Sequence, residues 1–329
     1  MRAVVCEKLG GPDDLLFHTD WPEPEPGPGE LKVRLLARAV QYVDVLMIAG
    51  QYQFKPDLPF IPGGEAAGEV VALGPGASGF RVGDRVMTRH NPGSFAEFGV
   101  AKAADTVPMP AGLTMEQAAA FRSAYMTAYH ALVQRAALQP GETLLVHGAA
   151  GGIGLAAVQV GKVLGATVIG VASTEEKRAA VKANGADHVI DYGPMQDGRG
   201  AFRDAVKDLT GGRGADVVYD PIGSWVFEES MRCINWGARI LILGFLGGAP
   251  ALARTNHLLI KGASAVGVRL GGLTEFQPEV AAANLQVLLD WAARGLVKPH
   301  VSHVLPLERA ADALKLLAER KVIGKAVLV

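Results

Sequence analysis

The sequence has 329 residues, of which 49% are hydrophobic and 20% charged, proportions typical of a globular protein with a large core and a length that suits two domains. Its formal net charge of −1 excludes a whole-chain electrostatic attraction to nucleic acid or anionic lipid. Two cysteines, no signal-peptide pattern and no apolar run of about 18 residues predict a cytoplasmic protein without a disulfide framework or membrane span.

The first third of the chain has short apolar runs between glycine- and proline-rich turns, a pattern typical of a β-rich domain. Strands are predicted at residues 2–6, 31–39, 67–73 and 85–88. The alternating prolines of WPEPEPGPGE, residues 21–30, predict an extended surface connector.

From about residue 114, nearly continuous apolar strands such as TLLVHGA and ARILILGF alternate with helical segments. This alternation predicts a parallel sheet that is buried on both faces and joined by right-handed crossovers. Helices are predicted at residues 201–209, 225–234, 280–294 and 308–320, and a strand at the terminal GKAVLV.

A glycine-rich turn, VHGAAGGIG, lies between the first of these strands and a helix. In the A-x-G-x-x-G frame, Gly151 would let a pyrophosphate approach the main chain, and Gly154 would let the helix pack closely on the sheet. The helix N-terminus would offer N–H groups to the phosphates. A tight turn without a ligand is the alternative interpretation. The predicted dinucleotide contacts in this turn are Ala150, Gly151, Gly152, Ile153 and Gly154.

The end of the next strand indicates which dinucleotide is bound. Ala172 stands where an acid would accept hydrogen bonds from the adenosine ribose, and Ser173 and Thr174 follow as donors. Lys177 and Arg178 lie within one helical turn. A neutral position beside donors and cations suits a 2′-phosphate, which favours NADPH over NADH.

Several motifs together resemble the medium-chain dehydrogenases/reductases of the zinc-free NADPH:quinone oxidoreductase (ζ-crystallin-like) family. They are AVQYVDVLMIAGQY, PFIPGGEAAGEVVALGPGASGFRVGDRV, MTAYHAL, LQPGETLLVHGAAGGIG and VIGKAVLV. The resemblance implies an α/β fold with a Rossmann doubly wound parallel sheet plus a GroES-like β-rich domain. It places the GroES-like domain at residues 1–121 and 266–329 and the NADPH-binding Rossmann domain at 122–265. It also implies a homodimer or homotetramer.

The resemblance allows the zinc ligands of related enzymes to be compared position by position. The matching positions here are Gln41, Gly64 and Ser123. None of the three offers a thiolate or an imidazole, and the four-cysteine loop of the structural zinc is absent. No metal is therefore predicted.

Without a Lewis acid, hydride from NADPH is expected to go to an electron-poor acceptor, either a quinone or an alkene conjugated to a carbonyl. The negative charge that then develops on oxygen needs a donor or cation. Tyr52, Gln41 and Arg122 are the candidates. Tyr52 could instead be a packing residue, and Arg122 could bind an acidic substrate or form a structural salt bridge.

The resemblance implies further cofactor contacts, each with a structural alternative. Tyr192 would lie beside the adenosine, or simply end a strand; Gly244 would run along the nicotinamide, or only form a turn. Asp44 and Glu65 match polar positions of the family, or could only brace the cleft. The remaining predicted contacts are Thr127, Phe245, Leu246, Val268 and Arg269.

These observations predict an NADPH-dependent reductase of quinones or α,β-unsaturated carbonyl compounds, acting without zinc or flavin on a small-molecule acceptor. One alternative is a reductase for an unsaturated acid or enoyl thioester. The other is an NADPH-binding protein with an RNA-binding or structural role, against which the neutral net charge and the lack of a basic stripe argue. AVGVRLGGL, residues 265–273, could form a sheet-edge contact between subunits or lie buried within one.

Overall fold

The computed structural model describes residues 1–90, 92–193, 195–196 and 199–329. The chain separates into two compact units, Met1–Ser123 with Lys298–Val329 and Ala124–Val297. Within the described ranges, no helix combines the length and the apolar character needed to cross a bilayer.

The strands, in chain order, are β1 (Ala3–Val5), β2 (Leu16–His18), β3 (Glu30–Val40), β4 (Glu65–Leu73), β5 (Arg85–Arg89), β6 (Phe98–Lys102), β7 (Val107–Pro108), β8 (Thr143–Val146), β9 (Thr167–Val171), β10 (His188–Ile190), β11 (Met195–Gln196), β12 (Arg199–Gly200), β13 (Ala215–Asp220), β14 (Ile234–Ile242), β15 (Ser264–Gly267), β16 (Val301–Leu305) and β17 (Lys325–Leu328). The helices are α1 (Tyr42–Ile48), α2 (Met115–Ala119), α3 (Arg122–Tyr129), α4 (Gly152–Val163), α5 (Glu175–Ala183), α6 (Phe202–Leu209), α7 (Ser224–Ser230), α8 (Thr255–Lys261), α9 (Leu270–Phe276), α10 (Pro278–Ala293) and α11 (Ala310–Ala318). A π-helical segment, His130–Arg135, continues α3.

The first unit is built on a sheet with the strand order β16-β17-β3-β4-β5-β7, in which β3 also pairs with β6. Strand β3 is antiparallel to both β17 and β4, and its last residue, Val40, lies opposite Ala326. The predicted β-rich character is confirmed. The pairing of β17 with β3 brings the C-terminal strand beside the segment that begins at Gln41.

The second unit contains a parallel sheet with the order β10-β9-β8-β13-β14-β15. If these six strands are numbered 1 to 6 in chain order, beginning with β8, they lie in the order 3-2-1-4-5-6 of doubly wound dinucleotide-binding sheets. The predicted fold is confirmed. All four residues of the central strand β8 are buried, as its uninterrupted apolar sequence indicates.

Two of the predicted element and domain ends differ from the structure by more than two residues. The helix predicted at 225–234 is too long, because α7 ends at Ser230 and Ile234 already pairs with Ala215 in β14. The return to the first unit is predicted at residue 266, whereas the compact units divide after residue 297. The amides of Asn284 and Gln134 exchange hydrogen bonds of 3.0 and 2.9 Å, which keeps α10 with the second unit.

Candidate functional site

The glycine-rich turn connects β8 to α4 at the carboxyl edge of the parallel sheet. Gly148 adopts a positive φ of 57°, and its carbonyl oxygen accepts a hydrogen bond of 2.9 Å from the Gly151 N–H. A Cβ on Gly154 would lie 2.3 Å from the Gly148 oxygen and 2.8 Å from the Ala149 Cα. Both neighbours are main-chain atoms, so any side chain at residue 154 would displace the turn.

The beginning of α4 fits a phosphate. Gly151 is the N-cap residue and has no side chain that could accept from the first helical turn. The N–H groups of Gly152 and Ile153 lie in the first turn, where no intrahelical acceptor exists, and the Gly151 side chain cannot cap them. The positive end of the helix dipole lies at the same place. Ala150 is buried beneath the turn, and the next three residues are partly exposed. This arrangement matches a pyrophosphate-binding turn.

An aromatic pair, the buried His147 and the partly buried Tyr192, lies against the turn. The Tyr192 hydroxyl accepts a 2.7 Å hydrogen bond from the Gly148 N–H, and its ring lies nearly parallel to that of His147, with 5.7 Å between ring centroids. His147 Nε2 lies 2.8 Å from Ser230 Oγ, which itself donates to the Val226 carbonyl. Nε2 must therefore carry the proton. Burial lowers the pKa of His147 to about 3, so the ring is neutral. The sequence interpretation missed His147, although a histidine inside an apolar strand was a signal.

The predicted 2′-phosphate position lies at the end of β9. Ala172 is buried, and Ser173 and Thr174 are exposed. Thr174 Oγ1 accepts from the Lys177 N–H at 3.3 Å and caps α5. Arg178 is paired with Glu175 at 2.8 Å and with Asp191, so a 2′-phosphate would have to compete with two carboxylates for its guanidinium.

Other predicted cofactor contacts follow the last two strands of the same sheet edge. Gly244, with the exposed Phe245 and Leu246, comes after β14. The Val268 N–H donates to the Ile242 carbonyl at 2.9 Å, which extends the pairing beyond β15. Arg269 lies 3.5 Å from Glu275. The carboxyl ends of parallel strands are where nucleotides bind in such sheets, so the fold brings these segments to the edge that holds the glycine-rich turn.

Two remaining predictions in the second unit concern α3 and β15. Thr127 is partly buried on α3, within the segment assigned to this unit. β15 is the terminal strand of the sheet, and its residues are partly or fully exposed. Residues 265–267 thus lie at a sheet edge, whereas residues 270–273 belong to α9, in which Leu273 is buried.

In the first unit, the positions that match zinc ligands in related enzymes come together around Glu65. Gln41 Nε2 donates to Glu65 Oε2 at 2.8 Å, and the Ser123 N–H donates to Glu65 Oε1 at 2.6 Å. Gly64 directly precedes Glu65 in the chain. Among the described residues, no group of three or more His, Cys, Asp or Glu side chains is arranged to hold a metal ion.

Buried charges surround this hydrogen-bond network. The exposed fractions of Asp44, Glu65 and Lys325 are only 2, 5 and 9%. Burial raises the pKa of Asp44 to about 7 and raises the pKa of Glu65, while the charge of Lys325 opposes both shifts. Burial also lowers the pKa of Lys325, against the attraction of the two carboxylates. The sequence interpretation missed Lys325, whose signal was a single charge in an otherwise apolar terminal strand.

The other two catalytic candidates have different surroundings. Tyr52 follows α1 and is partly buried against the cluster that includes Met47 and Phe60. The Arg122 guanidinium donates to the Asp105 carbonyl oxygen, and burial lowers its pKa. Neither side chain hydrogen-bonds to Gln41 within the described part of the chain. The structure thus joins Gln41 to Glu65 directly and leaves Tyr52 outside this network.

Comparison with known proteins identifies the family. The alcohol dehydrogenase GroES-like domain model matches residues 27–111, and the zinc-binding dehydrogenase model matches residues 152–285. The quinone oxidoreductase-like protein 2 homolog of Nematostella vectensis is 36% identical over 99% of this chain and 88% of its own. The chain belongs to the quinone oxidoreductase family of the medium-chain dehydrogenases/reductases. The predicted resemblance and the two-part fold are confirmed.

Solved structures show the same fold over the whole length. The Escherichia coli quinone oxidoreductase complexed with NADPH is 29% identical, with a TM-score of 0.89 and full coverage of both chains. A mycobacterial protein complexed with NADPH is 33% identical, with a TM-score of 0.90 and full coverage of both chains. The chain is therefore an oxidoreductase of the medium-chain family.

Proposed function

We propose that the protein is an NADPH-dependent reductase of quinones or α,β-unsaturated carbonyl compounds that works without zinc or flavin. The observation that carries the cofactor assignment is that α4 begins without a side-chain cap, directly after a turn whose main chain lies too close to Gly154 to leave room for a side chain there. The NADPH complexes of two related structures support it. The residues that would hold NADPH are those of the turn 150–154, Ser173, Thr174 and Lys177.

NADPH would supply the hydride, and the residues of this chain would bind the acceptor and stabilise its oxygen. Glu65 accepts a hydrogen bond from one N–H of the Gln41 side-chain amide, which leaves the second N–H and the Oε1 of Gln41 for another partner. That N–H can donate to the acceptor oxygen as negative charge develops there. Tyr52 is proposed as a second donor that can also deliver a proton.

The proposal of zinc independence rests on the donor set at the matching positions. The Gln41 side-chain amide and the Ser123 main-chain N–H both donate to the Glu65 carboxylate. Neither residue offers a thiolate or an imidazole as a zinc ligand. An acceptor that is already electron-poor does not need a Lewis acid.

The cytoplasmic location of the protein and its assembly as a homodimer or homotetramer stay predictions.

The test is the rate of NADPH oxidation, followed by absorbance with a chelator present, with a quinone and a conjugated enal offered separately and NADH as the control cofactor. We expect chelator-resistant oxidation of NADPH that is faster than that of NADH and slower in Gln41→Ala. Turnover abolished by the chelator, or no turnover with either acceptor despite NADPH binding, would refute the proposal.

The second candidate, a reductase for unsaturated acids or enoyl thioesters, is favoured by the position of Arg122. This side chain donates to a main-chain carbonyl and, among the described residues, has no carboxylate within ion-pair distance, although Glu65 and Asp105 attract its charge from farther away. An anionic acceptor could therefore pair with it directly. Selective loss of acidic substrates in Arg122→Ala, with neutral quinones still reduced, would support this candidate, and equal loss of both would contradict it.

A further inference from the structure

Three of the buried charged residues of the first unit come from separate parts of the chain. Asp44 lies in α1, Glu65 begins β4 and Lys325 begins β17. The pairing of β17 with β3 places Ala326 opposite Val40 and so carries Lys325 to this location. The two carboxylates and one ammonium are nearly removed from water. Buried charges of this kind are retained only where opposite charges and hydrogen bonds compensate them.

The two carboxylates hold Gln41 at two points. Asp44 Oδ2 accepts from the Gln41 main-chain N–H at 2.7 Å, and Glu65 Oε2 accepts from its side-chain Nε2 at 2.8 Å. An ionised carboxylate can only accept, so it fixes which end of the Gln41 amide faces Glu65. A protonated carboxyl group could donate instead, and the amide would then be free to turn its oxygen toward Glu65.

Lys325 is the cation that acts on both carboxylates. Arg89 of β5 and Arg122 of α3 also attract Glu65, but Asp44 is stabilised in its charged form chiefly by the Gln41 N–H and by Lys325. Without the ammonium, two buried carboxylates that repel each other would remain, and such a pair takes up a proton. The constraint that fixes the orientation of the Gln41 amide would then be lost.

We propose that Lys325 is a positioning residue for the Gln41 amide and acts on it through the Asp44 and Glu65 carboxylates. This inference rests on the proposed function, in which Gln41 contacts the acceptor. It adds a residue from the C-terminal strand to the acceptor-binding machinery.

The first test is a double-mutant cycle on acceptor turnover with Lys325→Met and Gln41→Ala. Lys325→Met keeps the length of the side chain and removes the charge; we expect kcat to fall by about 10- to 100-fold, because the amide is misplaced. The loss should be absent when Gln41 is already alanine, and Lys325→Arg should restore most of the activity. The Kd for NADPH should stay unchanged. Equal losses in both backgrounds, or no recovery with arginine, would overturn the inference.

The second test is independent of turnover and covers the case in which Lys325→Met folds poorly. Asp44→Asn removes one carboxylate charge and keeps an oxygen for the Gln41 N–H. If Lys325 compensates the carboxylates, the double variant Asp44→Asn/Lys325→Met should melt at a higher temperature than Lys325→Met alone. Equal melting temperatures would overturn the inference. Absence of turnover in the wild-type protein would instead refute the proposed function, and the melting comparison would still decide whether Lys325 compensates this charge.

Discussion

Substitution of the two turn glycines separates the folding role of the turn from its proposed ligand role. In Gly154→Ala, the new Cβ would lie 2.3 Å from the Gly148 oxygen and 2.9 Å from the Ala149 carbonyl carbon. These atoms cannot move without shifting the turn between β8 and α4. Overpacking of this kind costs about 1–3 kcal/mol. For a unit of this size the melting temperature should fall by roughly 2–12 °C.

Gly151→Ala is the matched control. Gly151 has a φ of −79° and a ψ of 170°, which alanine adopts freely, and its Cβ would lie 3.4 Å from the Gly148 oxygen, an ordinary contact. The melting temperature should therefore stay close to that of the wild type. A methyl group there would obstruct the pyrophosphate, and loss of a charged hydrogen bond costs about 1.5–3 kcal/mol, or roughly a 10- to 100-fold higher Kd for NADPH.

The assays are differential scanning fluorimetry without cofactor and titration of NADPH fluorescence. The expected result is a large melting shift only for Gly154→Ala, and weaker NADPH binding with unchanged melting for Gly151→Ala. A Gly154→Ala protein that melts like the wild type would refute the close-contact argument. A Gly151→Ala protein that binds NADPH normally would refute the phosphate assignment.

Three further predictions concern the surroundings of the turn. Lys177→Ala should raise the Kd for NADPH about tenfold or more and leave the Kd for NADH nearly unchanged. Arg178→Ala should change the ratio of these two Kd values little, because Arg178 is already ion-paired. Equal effects of the two variants would contradict this prediction. Tyr192→Phe removes the acceptor of the Gly148 N–H and should weaken NADPH binding by about 0.5–1.5 kcal/mol in the same titration. Unchanged binding would show that the hydroxyl has no part in holding the turn. Burial lowers the pKa of His147 to about 3, so the unfolded chain binds more protons below about pH 6.5 and the free energy of unfolding should decrease as the pH falls from 6.5 toward 3. Urea unfolding across this range should show a shallower decline in His147→Gln than in the wild type, and parallel curves would exclude His147 as the cause.

The sequence was sufficient for the parts of the fold that local patterns determine. A strand such as β8 is apolar throughout because both of its faces are covered, and this marks it without knowledge of its neighbours. The close contact at Gly154 likewise follows from a turn whose geometry is fixed by its own few residues. Element ends were harder to predict. Ile234 comes only four residues after the end of α7, with no glycine or proline between them to mark the end of the helix, and only its pairing with Ala215 shows that it begins a strand.

The candidate site could be predicted only where its residues lie close in sequence. Gln41 and Asp44 are separated by one helical turn, so their association is a local property. Lys325 joins them through the register of β17 on β3, and no spacing in the sequence indicates that register. His147 was missed for a related reason, because its partner Ser230 lies on a helix that follows β13. Such contacts are set by sheet order, which becomes visible only in the folded chain.

The charges around Glu65 give a physical reason to expect a reaction without zinc. A carboxylate with only 5% of its surface exposed requires compensation by opposite charge or by hydrogen-bond donors. Both Glu65 oxygens already accept hydrogen bonds, from Gln41 and Ser123, and the charge of Lys325 further stabilises the ionised form. A zinc ion at this place would have to displace these donors, would be repelled by the ammonium and would gain no thiolate or imidazole in return. Chelator-resistant turnover is therefore the result that follows from the donor set.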